Sequence, residues 1–186
     1  LAGRSRAAGA HMGSSLDTDW LDTVALINRK PRPLDEGAIR AVLGGRTVLI
    51  TGAGGSIGSQ LARRVASFGP ARLLLVERSE NALFEIDREL RRIAPDVAVR
   101  PLLHDVTDRS ATLALIHEHQ PHAIFHAAAH KHVPMMETHP AQAVENNFYG
   151  TRSIADAADA VGAERFVMVS TDKAVNPTSV MGATKR

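Results

Sequence analysis

"TGAGGSIG", Thr51–Gly58, is the stretch whose reading decides the fold. It follows the apolar run Thr47–Ile50 and opens a segment in which Ile57, Leu61 and Val65 recur at helical spacing until Gly69 and Pro70 stop the pattern. Strand, glycine turn and helix, in that order, form the context a dinucleotide-binding turn requires. Gly52, Gly55 and Gly58 fall at three-residue intervals. Without side chains there, the turn can tighten, backbone N–H groups can approach a pyrophosphate, and the helix can pack close to the strand. Ser56 and Ile57 open the helix, whose N-terminus offers aligned donors and partial positive charge to an anion. The plainer alternative is a glycine-rich turn without a ligand.

Outward from this turn the βα alternation repeats. Leu73–Val76 reads as a second strand, followed by Leu83, Ile86, Leu90 and Ile93 on one helix face. Val97–Leu103 reads as the third strand, with Leu113 and Ile116 on the helix after it. Ala123–Phe125 is the fourth, with a longer helix from about Pro140 to Val161, and Phe166–Val169 is the fifth. Nearly all-apolar strands alternating with helices predict an α/β fold: a doubly wound parallel sheet of the Rossmann type, ending after the helix that follows the fifth strand.

Glu77 ends the second strand 19 residues beyond Gly58, where a carboxylate can accept hydrogen bonds from an adenosine ribose and would repel a 2′-phosphate. That favours NAD. Arg78 and Ser79 come next and could bind such a phosphate if Glu77 turned away, which leaves NADP open. Asp105 and Val106 after the third strand are candidates for bordering the adenine. Ala127, Ala128 and Ala129 after the fourth are candidates for close backbone approach. All of these lie at C-terminal strand ends, where ligands bind in open α/β sheets.

The 186 residues are 44% hydrophobic, enough for one domain with a sizeable core. No apolar run approaches the roughly 18 residues a membrane span needs. Cysteine is absent, which removes disulfide frameworks and thiolate metal sites and fits a reducing, cytoplasmic setting. With 22 Lys and Arg against 20 Asp and Glu and no clustered basic stripe in the fold-forming segment, nucleic acid is not an expected partner. His117, His119, His122, His126, His130, His132 and His139 span a helix, a strand and a loop without the helical pairing a metal site would use, so no metal is expected. Residues 1–15 are set aside as a cloning tag or disordered stretch, 16–45 as an N-terminal extension, and 46–186 as the dinucleotide-binding domain.

The chain closes on "VSTDKAVNPTSVMGATKR". Together with "TGAGGSIGSQL", "HAAAHKHVPMMETHP" and "NNFYGT", this ending resembles the extended short-chain dehydrogenase/reductases, and among them the nucleotide-sugar 4,6-dehydratases of capsule and glycan biosynthesis. The resemblance implies a substrate such as UDP-N-acetylglucosamine. It also implies an internal redox reaction in which NAD⁺ takes hydride from sugar C4, water leaves across C5 and C6, and the hydride returns to C6. Large members of the family carry transmembrane helices upstream, so the parent protein is expected to be membrane-anchored, with this portion cytoplasmic.

By the same resemblance Asp172 is the acid at the C6 hydroxyl, with a pKa raised by burial. Lys173 is the base at C5, with a pKa lowered by burial or a nearby cation. Thr171 would bind the C4 hydroxyl and Lys185 the nicotinamide ribose. His130, Lys131 and His132 are expected on the substrate side, and Asn147 is a candidate for holding backbone or water near the site. Where the superfamily carries Tyr four residues before the Lys, this chain has Met181. A thioether moves no proton, so deprotonation at C4 would fall to Thr171, Asp172 or an ordered water.

The competing readings are a sugar-nucleotide epimerase, which normally relies on that Tyr, and an NAD-binding module without catalysis. A five-stranded sheet would leave an apolar edge exposed, and a homo-oligomer is expected through it. Because substrate-binding segments follow the Lys-bearing helix in extended family members, this length is expected to bind dinucleotide but turn over poorly.

Overall fold

The structure is a computed structural model, and residues 33–186 are described. The stretch read as a tag, and the extension as far as residue 32, lie outside the described residues. One compact unit runs from Asp35 to Arg186. It begins with helix α1 (Glu36–Leu43), where the Asp35 side chain accepts the Ala38 N–H at 2.9 Å. Leu43 is buried and joins the core, so the unit starts ahead of the boundary expected at residue 46.

Five strands, β1 (Thr47–Thr51), β2 (Arg72–Glu77), β3 (Ala98–Leu103), β4 (Ala123–His126) and β5 (Arg165–Met168), form one sheet in the order β3-β2-β1-β4-β5. Every neighbouring pair is parallel. The chain therefore winds outward from β1 to one edge, returns to the centre, and winds to the other. The reversal falls between β1 and β4, the position at which such sheets open a crevice for ligands.

Side chains alternate across the sheet and build two cores. Val48, Ile50, Leu73 and Leu75 face α1, α2 (Ser56–Ala66) and α3 (Glu80–Ile93), which contribute Ala62, Val65, Leu83, Ile86 and Leu90. Leu49, Leu74, Val76 and Ile124 face α4 (Arg109–His119) and α7 (Gly150–Ala160), which contribute Ile116, Ile154 and Ala157. The doubly wound architecture is thus present, with helices on both faces.

Three periodic positions do not join the core: Ile57, Ile93 and Leu113 are exposed. In α2 the buried positions are Gly58, Ala62, Val65 and Ala66, mostly small residues that bring the helix close to the sheet. The long helix expected from Pro140 to Val161 is a composite. It runs through α6 (Pro140–Ala143), a π-helical segment (Val144–Tyr149) and α7. Before it lies α5 (Val133–Thr138); after β5 come a 3₁₀ turn (Asp172–Ala174) and the short α8 (Val180–Ala183). Met136, Ala143 and Met181 pack there as a third, small apolar cluster with Val133 and Val180 beside it.

Strand β3, at one edge, carries Pro101 opposite Leu75. Strand β5, at the other, exposes Phe166, Val167 and Met168.

Candidate active site

The glycine turn sits at the C-terminal end of β1, and steric limits explain its composition. Gly52 has φ +64°, and a Cβ on it would stand 2.7 Å from the Ala128 nitrogen. A Cβ on Gly58 would overlap the Gly52 carbonyl oxygen. Gly55 is the N-cap of α2 with no side-chain cap of its own, so the first N–H groups of the helix, at Ser56 and Ile57, face outward from an exposed turn.

Glu77 does not turn away from this cradle. Its Oε2 accepts the Gly54 N–H at 3.2 Å, and its Oε1 accepts the Arg78 and Ser79 N–H groups at 3.0 and 3.1 Å. Three backbone donors from two loops fix the carboxylate beside the phosphate turn, while a lone pair on Oε2 is left for a hydroxyl donor. Gly52, Gly55, Glu77, Arg78, Asp105, Val106, Ala127, Ala128, Ala129 and Asn146 line one groove, together with Val76 and His104. All the non-glycine cofactor candidates except Ser56, Ile57, Ser79 and Lys185 therefore meet in one place.

Burial works against ionisation of Asp105, yet the Thr107 N–H and hydroxyl at 3.0 and 2.9 Å, with the Arg78 charge, hold its carboxyl below the ordinary value. Burial lowers His104, whose Nε2 lies 2.7 Å from Thr112 Oγ1.

Behind the crevice lies a network that the sequence did not reveal. His126, at the end of β4, is fully buried, with Nδ1 2.7 Å from Thr51 Oγ1 and Nε2 2.9 Å from Thr151 Oγ1. Thr51 Oγ1 also accepts the Ala128 N–H at 3.3 Å. A Thr51 hydroxyl that donates to Nδ1 satisfies every polar atom of the chain, which makes the imidazole neutral with its proton on Nε2. Burial, and secondarily the Lys185 charge, push His126 down to about 4. The network joins the start of the phosphate turn, the alanine wall and helix α7 through one ring.

Beyond β5, Thr171, Asp172 and Lys173 form a tight turn. Thr171 Oγ1 donates to Asp172 Oδ1 at 2.9 Å, and Lys173 Nζ lies 3.3 Å from the same oxygen. Asp172 departs from the expectation of a buried, raised acid. Its side chain is 87% exposed, and the Thr171 hydrogen bond, together with Lys173, holds its carboxyl below the ordinary value. Lys173 is likewise half exposed rather than buried. Lys185 is the partly buried cation instead: Nζ donates to the Val169 carbonyl at 3.0 Å, and partial burial lowers its pKa.

Met181 is 3% exposed and packs within the Met136 and Ala143 cluster. It fills space and presents no acid or base. Its neighbour Gly182 is the residue that reasoning from the sequence missed. A Cβ on Gly182 would overlap the Lys173 carbonyl oxygen, so the absence of a side chain lets α8 dock on the turn bearing Asp172 and Lys173.

Asn147 lies in the π-helical segment, a conformation that recurs at functional sites. Its Oδ1 accepts the His130 N–H at 2.8 Å, and its Nδ2 donates to the His130 carbonyl and to Thr184 Oγ1, both at 3.0 Å. The buried amide thus holds the loop after β4 against α8, a backbone role that leaves it little capacity for substrate. His130 turns toward Arg78 on the cofactor side, while Lys131 and His132 are exposed, His132 at the N-terminus of α5.

Residues 48–186 match the family described as "Polysaccharide biosynthesis protein". The chain belongs to this family. It is 48% identical over 162 residues to the probable polysaccharide biosynthesis protein EpsC of Bacillus subtilis, covering 87% of this chain and 27% of that protein. It is 31% identical over 142 residues to a UDP-N-acetylglucosamine 4,6-dehydratase (inverting) of Campylobacter jejuni, covering 76% of this chain and 41% of that enzyme. Among solved structures, a UDP-glucose 4-epimerase of Stenotrophomonas maltophila with bound NAD superposes with a TM-score of 0.66 at 24% identity, over 75% of this chain and 45% of that one. That likeness establishes the fold, a doubly wound parallel sheet with helices on both faces. The family member described here spans less than half the length of each of these relatives.

Proposed function

We propose that this chain is the cofactor-binding and acid–base portion of an NAD-dependent nucleotide-sugar 4,6-dehydratase acting in polysaccharide biosynthesis. The observation that carries the reading is the Thr171–Asp172–Lys173 hydrogen-bonded turn at the end of β5, one short helix away from a half-buried Lys185 and beside a Met181 that cannot serve as a base. Passage of one proton from the Lys173 ammonium to the Asp172 carboxylate, which lie in contact, gives the free amine and the carboxylic acid that loss of water across two neighbouring carbons needs.

The groove fits a dinucleotide: Gly52 and Gly58 stand where any Cβ would meet backbone, and Glu77 is aimed by three N–H groups beside the turn. When bound there, the cofactor supplies the oxidation at sugar C4 and its reversal at C6. Glu77, held in place, favours a free ribose 2′-hydroxyl over a 2′-phosphate, which supports NAD rather than NADP. Lys185 holds positive charge near the reacting carbons. Lys173 takes the C5 proton made acidic by oxidation at C4, and Asp172, once protonated, delivers a proton to the leaving C6 hydroxyl.

Because Asp172 is exposed and held ionised in the free chain, its acid role requires a covering that raises its pKa, and a bound sugar supplies one by excluding water. The test is to incubate the protein, extended to the length of its relatives, with UDP-N-acetylglucosamine and NAD⁺ and to follow mass. Loss of one water, abolished in Asp172→Asn and Lys173→Ala, is the expected result. Unchanged mass with inverted C4 configuration would replace the dehydratase with an epimerase, and binding without turnover would leave a cofactor-sensing module.

A further inference from the structure

Arg78 directly follows Glu77, yet its side chain leaves the β2 side of the groove. Nη1 donates to Asn146 Oδ1 at 3.3 Å and lies 3.7 Å from Asp105 Oδ2, while Nη2 lies 3.3 Å from His130 Nε2. These partners belong to three different elements: the π-helical segment, the loop after β3 and the loop after β4. In the sheet, β1 stands between β2 and β4. A side chain rooted at the end of β2 that reaches the loop after β4 therefore passes above the end of β1, where the phosphate turn begins. Arg78 and two of its three partners, Asp105 and Asn146, line the same groove as Gly52 and Gly55.

We propose that Arg78 is a releasable strap across the mouth of this groove, closing over a bound dinucleotide and limiting the rate at which it leaves. The inference rests on the cofactor reading above and adds a residue that governs retention. Two features make the strap releasable. The Arg78 and Asp105 side chains are 48% and 43% exposed, and ion pairs so open to water contribute little. The guanidinium carries only donors, so its contact with His130 uses an Nε2 lone pair and breaks without stranding a charge.

Two features make the strap close more tightly over ligand than over the empty groove. Two of its present partners, Asn146 and His130, are neutral, whereas a pyrophosphate held by the glycine turn in the same groove would offer anionic oxygens that suit a forked guanidinium. The π-helical segment and the loop after β4, which receive the far end of the strap, are tied together by Asn147, so the anchorage is firm. Retention has a chemical purpose. In a reaction that withdraws two electrons from the sugar and then returns them, a cofactor that escapes between the steps leaves an oxidised intermediate stranded.

The experiment is displacement of NADH from the 186-residue protein by excess ADP-ribose, followed by nicotinamide fluorescence in a stopped-flow instrument. Hydrogen bonds to charged groups are strong enough that Arg78→Ala should accelerate release at least about 10-fold, with association changed by less than about threefold. Arg78→Lys keeps the charge but cannot span three partners, and its release should resemble that of Arg78→Ala. Release from Arg78→Ala within twofold of the parent overturns the strap while leaving the cofactor site intact. Parent-like release from Arg78→Lys reduces the residue to a point charge and also overturns it. If the parent binds neither NADH nor NAD⁺ over a full titration, the cofactor reading and the strap fall together.

Discussion

At the scale of single residues, His126 has the firmest consequence, because a buried neutral imidazole links folding to pH. The folded state holds His126 at about 4, against 6.5 for a free histidine. In an unfolded chain the ring takes up its proton below about 6.5. The stability contributed by the neutral ring is therefore complete above that value and is lost as pH falls toward 4. The gap corresponds to roughly 3 kcal/mol, as an order of magnitude. His104 and His130, also lowered by burial, add to the same acid-side loss. Thermal melts from pH 7 to pH 4.5 should show a steep fall for the parent and a shallower one for His126→Gln, which keeps a donor and an acceptor but does not titrate. Parallel curves for the two proteins would remove His126 as the source.

At the scale of elements, the informative contact is α8 against the 3₁₀ turn. Gly182→Ala would drive a Cβ into the Lys173 carbonyl oxygen, and backbone cannot swing aside as a side chain can. The turn must shift, carrying Asp172 and Lys173 with it. Overpacking of this kind costs about 1–3 kcal/mol of stability, and a 1 Å displacement of reacting groups can cost on the order of 100-fold in rate. In the extended protein, Gly182→Ala should lower the rate of water loss by about 10- to 100-fold, with NADH affinity unchanged within about threefold. An unaltered rate would mean that the spacing is not critical.

Elements were also where reading from the sequence succeeded best. All five strands follow from apolar runs bounded by turn residues, and their boundaries agree to within a residue or two; β1, β2 and β4 are largely buried and leave a continuous hydrophobic signature, while the exposed edge strands β3 and β5 keep enough apolar residues to be read the same way. That Glu77, Arg78, Asp105, Val106 and Ala127–Ala129 would meet in one groove was legible because these residues follow strand ends in order. What was not legible depends on contacts between distant segments. Ile57 and Leu113 lie on helical spacing but face solvent, since apolar periodicity does not say which side approaches the sheet. The π-helical segment has no signature in a 3.6-residue pattern. The exposure of Asp172 and the burial of Met181 are set by what packs on each, and no local motif encodes that.

At the scale of the whole molecule, the exposed residues of β5 bear on association. Phe166, Val167 and Met168 are 36%, 46% and 38% exposed along a strand with one side unpaired among the described residues. Surfaces of this kind associate. Sedimentation velocity of the 186-residue protein should show self-association that rises with concentration, and Val167→Lys should weaken it without lowering NADH affinity. A monomer at every accessible concentration would rule out this edge as an interface.

The two edges are chemically unequal. On β3, Pro101 lacks an amide hydrogen and interrupts the row of donors that an incoming strand would need, so that margin is sealed against further pairing. On β5, Arg165–Met168 contains no proline. The sheet consequently has a direction of growth. Any added strand, whether from the same polypeptide or from a second copy, enters on the β5 side, the side on which Asp172, Lys173 and Lys185 emerge. Lateral extension of the sheet and enclosure of the Asp172–Lys173 turn would thereby become one event.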